Sequence, residues 1–340
     1  MKNRMELFEN VPVWKAYFTI SLPVVFSMVV TLVYNMVDTF FVAGTQNARL
    51  VAGVSQCTPL FMLMLALGDI FGLGGSSLIS RLFGQKDDET ARNVSGFCFY
   101  AAIVCGLIVT VLMFAFQGPV LRVLGATSDT LKYASQYYFW IALGAPLIIL
   151  SLTPSNIIRT EGLAMQSMIA SVAGSILNIV LDPIFIFTLG MGAGGAALAT
   201  VLGYVLSDVL LVCYILRKSR HLTVSIRHAR VARKFVTSVF VIGIPASLTN
   251  LMQSYNIMVL NRHLISYGPK AVAAMGITMK VNMIIMMILV GFAFGAQPLI
   301  GYAYGAGNRS RLRAVIRFDL LVEVGFSAVA SVVVIVLAPQ

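Results

Sequence analysis

Nine apolar stretches, each about 20 residues long or more, take up most of this chain. Roughly 20 apolar residues carry a helix across the hydrocarbon core of a bilayer. The stretches run approximately over residues 15–44, 50–73, 94–117, 133–157, 165–189, 195–216, 235–260, 272–291 and 315–337. They predict an all-α polytopic membrane protein, because a helix satisfies its own backbone hydrogen bonds where no water is present to do so. The balance of residues agrees: 59% are hydrophobic and 11% charged, against about 25% charged in a soluble domain, and the mean hydropathy is +0.89. The first stretch covers about 30 residues, so it must tilt or bend, and Pro23 supplies a bending point.

The net charge of +11 is sorted by side of the membrane and not gathered into a nucleic-acid footprint. Lys2, Arg4, Lys15, Arg81, Lys86, Arg92, Arg159, the seven Lys and Arg of residues 217–234, and Arg309, Arg311, Arg313 and Arg317 put 18 basic residues on one side. Arg49, Arg122, Lys132, Arg262 and Lys270 put 5 on the other. By the positive-inside rule the N-terminus is expected in the cytoplasm and, after an odd number of spans, the C-terminus outside, in a multi-pass protein of the cytoplasmic (inner) membrane. Residues 1–13 are polar and lack the apolar core of a cleavable leader, so none is expected.

Nothing has the spacing of a nucleophile elbow, a phosphate loop or a zinc site, and neither enzyme activity nor a cofactor is expected. Cys57, Cys98, Cys105 and Cys213 lie inside apolar spans, without a CxxC, and read as small core residues. His221, His228 and His263 sit in or beside loops without metal-ligand spacing.

The chain resembles itself at an offset of 221 residues. Tyr34-Asn35 returns as Tyr255-Asn256, Val51-Ala52 as Val272-Ala273, Gly74 as Gly295, Leu78-Ile79 as Leu299-Ile300, Gly84 as Gly305 and Arg92 as Arg313, with twelve identities over the ungapped 61 positions from 34 to 94. Pro23 and Pro245 correspond with a displacement of one. Six spans precede the linker, so the second copy runs in the same direction, as a parallel repeat about an axis along the membrane normal. This predicts a six-helix lobe over residues 1–216, a basic cytoplasmic linker over 217–234 and a partial second lobe of three helices over 235–340, about nine helices of an expected twelve. The linker, with seven Lys and Arg, two His and no acid, reads either as a solvated loop that enforces topology or as an amphipathic segment lying on lipid headgroups.

Charge inside the spans marks the candidate chemistry. A charge at the bilayer centre costs at least ~2.5–3.5 kcal/mol on insertion scales, so Asp38, deep in the first span, should face the bundle interior or a cavity. A carboxyl in that position can carry a proton or balance a cation. Tyr34 lies one turn earlier on the same face. In the fifth span Asn178 and Asp182 stand at i and i+4, stacked on one face, and Pro183 cannot donate to the carbonyl of Ile179. A carboxylate, an amide oxygen and a free carbonyl are the hard ligands a small cation prefers. Asp69 and Asp208 stand nearer the cytoplasmic ends of their spans, where pairing with loop arginines is expected. Asp319 and Glu323, behind Arg311, Arg313 and Arg317, read as a helix-terminus charge arrangement. Lys280 needs a partner or a wet cavity. Met275, Met279, Met283, Met286 and Met287 form a stripe that reads as ordinary packing or as an adaptable binding wall.

Together, the Pro23 bend followed by YNMVDTFFVAG, the RTEG of Arg159–Gly162, NIVLDPIF in the fifth span and the parallel repeat resemble the multidrug and toxic compound extrusion (MATE) family. The resemblance covers the whole chain. It implies two six-helix lobes in a V and export of amphipathic, often cationic compounds in exchange for Na+ or H+ by a protein that is a monomer when full length, with small-molecule substrates and membrane lipids as its partners and no nucleic acid. It also implies an ion-coupling site at Asp38, Asn178, Asp182 and Thr200, the ligands of the metal ion where that ion is Na+, with Tyr34, Asn35 and Tyr137 beside it in the substrate cavity and Pro23 as the bending residue. Thr200 and Tyr137 rest on the resemblance alone. The repeat sets Val259 against Asp38, so coupling is expected in the first lobe. The alternatives are a lipid-linked oligosaccharide flippase, which would favour an Arg- and Lys-rich cavity, and a membrane fragment that does not transport.

Overall fold

The computed structural model describes residues 5–264 and 269–337; within these, the side chains of 250–251, 253–258, 261–264, 269–274, 276 and 277 are not described. Twelve α-helices follow one another: α1 (Glu6–Glu9), α2 (Val13–Gly44), α3 (Ala48–Gln56), α4 (Thr58–Gly84), α5 (Asp88–Ala115), α6 (Gln117–Val123), α7 (Leu131–Arg159), α8 (Ala164–Pro183), α9 (Ala193–Lys218), α10 (Arg233–Leu264), α11 (Pro269–Gly305) and α12 (Arg309–Leu337). Among the described residues eight helical segments are long and apolar enough to cross a membrane, α3 and α4 counting as one. The predicted span 235–260 forms α10. The repeat partners Tyr255, Asn256, Val272 and Ala273, and the residues Arg262, His263 and Lys270, have side chains outside the described ones, as have Lys2 and Arg4.

Local chemistry sets the breaks. Asn47 caps α3, its side-chain oxygen accepting from the backbone N–H groups of Arg49 and Leu50 at 3.1 and 3.2 Å. Asp87 caps α5 through the N–H of Thr90 at 3.1 Å, with Asp88 and Glu89 in the first turn where the helix dipole favours them. Pro23 is accommodated without a break: α2 stays continuous, and the hydroxyl of Ser27 donates to the Pro23 carbonyl at 3.0 Å. After Pro183 the helix relaxes into a π turn, Ile184–Thr188, as the missing donor predicts.

The 221-residue offset reappears as reciprocal contacts. A Cβ placed on Gly84 would strike the carbonyl oxygen of Tyr302, and one placed on Gly305 would strike that of Arg81, which is Tyr302 less 221. Gly74 meets Gly243 of α10, and its counterpart Gly295 meets Ser21 of α2. Glycine at these crossings lets backbones of α2, α4, α10 and α11 approach as small residues do between membrane helices. Further bonds tie the N-terminal segment to the later helices. The Tyr302 hydroxyl donates to Glu9 Oε1 and the Tyr17 hydroxyl to Asp319 Oδ1, both at 2.7 Å, and Arg311 Nη2 donates to the carbonyls of Leu7 and Val11 at 3.3 and 2.9 Å.

Several expectations need correction. Asp319 is engaged by Tyr17 of α2, across the bundle and not at a helix terminus. Cys57 and Cys98 are buried as expected, but Cys213 is exposed on α9, where an apolar environment outside the protein suits it as well as a core does. The linker is mostly loop between α9 and α10. One short 3-10 turn (Ile226–His228) apart, it is strapped to α5, with Arg92 donating to the carbonyls of Arg220 and His221, Ser95 bonding Thr223 and the Tyr100 hydroxyl donating to the Val224 carbonyl. In the Met stripe, Met275, Met279 and Met287 are half-buried and Met283 and Met286 exposed, and Lys280 is exposed with them.

Candidate functional site

The site forms where α2, α7, α8 and α9 meet. Helices α8 and α9 cross with Gly174 against Gly203: a Cβ on Gly203 would lie 2.8 Å from the Gly174 carbonyl oxygen. Asn178 is one turn from the first of these glycines and Thr200 one turn from the second, so the close crossing presses the two polar side chains together in an otherwise apolar interface. Asn178 Nδ2 donates to Thr200 Oγ1 at 3.4 Å and to Asp182 Oδ1 at 3.5 Å, while the Thr200 hydroxyl is spent on the Ala196 carbonyl at 3.0 Å. Asn178, Asp182 and Thr200 are all buried, Asp182 at 0% exposure.

Asp38 enters from α2. Its carboxyl group and that of Asp182 interact across the gap between their helices, so two acids from distant parts of the chain face one another, Asp182 buried and Asp38 half-buried. Tyr34, one turn along the same face of α2, lies beside Thr200 and near Asp38, and Tyr137 of α7 lies near both acids. Oδ1 of Asp38, Oδ1 of Asn178 and Oδ2 of Asp182 are buried without a hydrogen-bond partner. A buried acceptor lacking a donor is costly. Three such oxygens in one place are what a proton, or a small cation with its preference for hard oxygen ligands, would satisfy. Among the described residues no group of three or more His, Cys, Asp and Glu side chains converges. The donor set is therefore two carboxyls with neutral oxygens, without the nitrogen or sulfur that a transition metal favours.

Of the residues expected from the sequence, Tyr34, Asp38, Tyr137, Asn178, Asp182 and Thr200 come together. Asn35 does not join them: among the described contacts its carbonyl accepts from the Thr39 hydroxyl, and no bond links its side chain to the cluster. Pro23 lies well away, eleven residues before Tyr34 on α2. Sequence reasoning missed Tyr204 of α9, which lies near both Tyr34 and Tyr137. Its signal was present, since Thr200, Tyr204 and Asp208 recur every four residues along one helix face. The buried Asp69 lies near enough to Arg159 for the two charges to attract, while Arg159 donates to Ser167, Asn156 and Ser155. Both carboxyl oxygens of Asp208 are buried without a hydrogen-bond partner, so the expected arginine does not bond them.

The MatE family model matches residues 23–184 and 245–340. The multidrug export protein MepA of Staphylococcus aureus (strain NCTC 8325 / PS 47) is 34% identical over 310 residues, which cover 91% of this chain and 68% of that protein. A crystal structure of a MATE in a straight conformation matches with a TM-score of 0.93 and one of a MATE in a bent conformation with 0.92. Each is 30% identical, over 100% of this chain and 76% of the other.

Proposed function

This chain belongs to the MatE family of multidrug efflux transporters, and we propose that it is an antiporter that exports amphipathic organic compounds, cations foremost, in exchange for Na+ or H+. In this reading Asp38 and Asp182 receive the coupling ion, Asn178 and Thr200 complete its oxygen shell where the ion is Na+, and Tyr34 and Tyr137 line the adjoining substrate space. The observation that carries it is the meeting of two carboxyls from α2 and α8 around three buried oxygens without partners. Structural acids would be paired. Acids that must alternately take up and release an ion are left with unfilled valences for it.

Exchange follows from competition for one small space. A cationic drug near the two acids and a coupling ion bound by them neutralise the same charge, so filling the site with the ion weakens drug binding and the reverse. The MATE relatives seen straight and bent supply a mechanical counterpart. Pro23 leaves one carbonyl of α2 without its helical donor, and α2 carries Asp38. A bend at Pro23 that follows ion uptake would narrow the substrate space and expel the drug. The charge count supports an N-terminus on the cytoplasmic side of the inner membrane, and the lobes over 1–216 and 235–340 are the bodies that move against one another. Purified protein in proteoliposomes, loaded with a fluorescent organic cation and given a Na+ gradient or a pH gradient separately, tests the reading. One gradient should drive efflux against the drug gradient; efflux indifferent to both would overturn it.

A further inference from the structure

We propose that the pocket between the first turns of α5, the last turn of α9 and the linker binds the phosphate group of an anionic phospholipid, whose acyl chains lie along α9. The inference is independent of the coupling ion and of drug transport. The pocket has a volume of about 230 Å³, several times the ~30 Å³ share of one water in the liquid, and Arg92, Arg220, Thr223 and His228 are among its lining. Among the described residues no acid lines it. Its walls are held by the fold. A Cβ on Gly96 of α5 would lie 3.2 Å from the carbonyl carbon and oxygen of His228, so the turn Ile226–His228 rests directly on that helix. The N–H of Thr223 donates to Ser95 Oγ at 3.0 Å and the Tyr100 hydroxyl to the Val224 carbonyl at 2.9 Å. On the α9 side Glu161 Oε1 accepts from the Ser219 hydroxyl and from the N–H groups of His221 and Leu222 at 2.9, 2.8 and 3.2 Å. That carboxylate is satisfied by the linker itself, and Asp88 at the start of α5 lies 3.2 Å from His221 Nδ1.

The lining has donors to spare. Arg92 donates from Nε and Nη2 to the carbonyls of His221 and Arg220 at 3.4 and 2.8 Å, which engages only part of a guanidinium's five N–H groups. The Thr223 hydroxyl accepts from the N–H of Ser225 at 3.1 Å and keeps its own hydrogen for an acceptor. His228 Nδ1 is buried without a hydrogen-bond partner, and Arg220 is exposed, with no ion pair among the described residues. Two guanidinium charges and unused donors call for an anion rich in acceptors, and the planar fork of arginine matches phosphate oxygens. Two further features select a phospholipid over a soluble phosphate ester. The pocket stands at the end of a helix long and apolar enough to cross a membrane, on the side with most of the basic residues, where anionic headgroups are drawn. Its rim is also bare and apolar. Leu216 and Ile226 are each 67% exposed, and Val209, Cys213 and Leu216 follow one another at helical spacing as an exposed stripe on α9 that leads up to the pocket. Acyl chains cover such a stripe, and a soluble ester does not.

The test titrates the intact protein in detergent with dioctanoyl phosphatidylglycerol, dioctanoyl phosphatidylcholine or glycerol phosphate. Bound molecules are counted by native mass spectrometry, and hydrogen exchange is followed in residues 219–228. Phosphatidylglycerol should bind saturably, at one site that slows exchange in the linker, and phosphatidylcholine at the same concentration should not. Arg220→Gln removes an exposed side chain without an ion pair and should weaken binding roughly fivefold, the worth of one basic side chain at an anionic surface. Arg220→Lys, which keeps the charge and loses the fork, should restore part of it. Arg313→Gln, an exposed arginine outside the pocket, should leave binding as in wild type. Equal protection of the linker by the two lipids, or equal losses in Arg220→Gln and Arg313→Gln, would overturn the site and leave only a general attraction of a basic face. Glycerol phosphate bound as tightly as phosphatidylglycerol would show that the apolar stripe contributes nothing, and would overturn the phospholipid as occupant.

Discussion

Adding one methyl group should have opposite effects at two places in this molecule. At Gly305 a Cβ would strike the Arg81 carbonyl oxygen and lie 2.7 Å from that residue's carbonyl carbon and 2.8 Å from its Cα. Ordinary contact begins near 3.4 Å, so the backbones must part by at least 3.4 − 2.7 = 0.7 Å. The obstacle is backbone, which cannot swing aside like a side chain. Helices α4 and α11 would have to separate as bodies and loosen everything packed along them. Overpacking of this kind costs about 1–3 kcal/mol. Gly84→Ala meets the mirror-image obstacle, with Ala306 N at 2.6 Å, and should cost a similar amount. Gly325, inside α12, has nothing within 4 Å of a built Cβ. There alanine should stabilise by about 0.5–1 kcal/mol, because it stiffens the unfolded chain and favours the helix. Thermal inactivation of the three variants and wild type in one detergent at a fixed scan rate, so that kinetic stability is compared like with like, should rank Gly325→Ala at or above wild type and Gly84→Ala and Gly305→Ala well below. A Gly305→Ala variant as durable as Gly325→Ala would mean that the α4–α11 crossing is not tight, and the reciprocal packing would lose its main support.

Three further outcomes are expected. Asp38→Asn and Asp182→Asn, which keep shape but can neither hold a proton nor balance a cation, should each abolish gradient-driven efflux at unchanged expression and membrane insertion; wild-type efflux in both would remove the site. Pro23→Ala should restore a donor to the carbonyl of Thr19 and stiffen α2, lowering turnover more than drug affinity; spin labels on α2 that report the same range of motion as in wild type would leave Pro23 as a static feature. Tyr302→Phe removes the 2.7 Å bond to Glu9, worth about 1.5 kcal/mol at the low end for a charged partner because Glu9 is part exposed. The population with the N-terminal segment docked on α11 should fall roughly tenfold against the undocked one, readable as faster hydrogen exchange in residues 5–12, and no change there would show that the bond does not hold the segment.

Length and apolarity make the helices legible in the sequence, since few other structures satisfy the backbone in lipid. Helix ends are less legible. The predicted spans stop at 73 and 291, yet α4 and α11 run on to Gly84 and Gly305. The extra turns are rich in Gly, Ser, Gln and Tyr, which hydropathy scores as loop, and their burial comes from contact with each other, a relation 221 residues apart that no local window contains. Asp38, Asn178 and Asp182 stand out because acids and amides are expensive in a span. Tyr204 does not, because an aromatic residue in an apolar helix is ordinary until three other helices are known to meet it. Asp208 is visible as a residue and misread as to partner, since position along the helix says how near a loop lies but not which way the arginines turn.

The repeat keeps its packing in both copies and its acid in one, and the two facts have different physical origins. Gly84 and Gly305 each face the backbone around the other's neighbours, as do the pairs Gly74 with Gly243 and Gly295 with Ser21. Enlarging either member of a reciprocal pair parts the same two helices, so the small residue is required on both sides. A carboxyl has no such mate. Each acid placed at the bilayer centre carries its own cost of at least ~2.5–3.5 kcal/mol, recovered where α8 and α9 bring Asn178, Asp182 and Thr200 to Asp38 and nowhere else without an equivalent cluster. At the position 221 residues on, α10 carries Val259, a side chain that costs nothing in lipid. If the two bodies hinge about shared crossings on α2, α4, α10 and α11, an ion bound on one of them shifts the equilibrium of both. A second acid would add insertion cost without adding coupling.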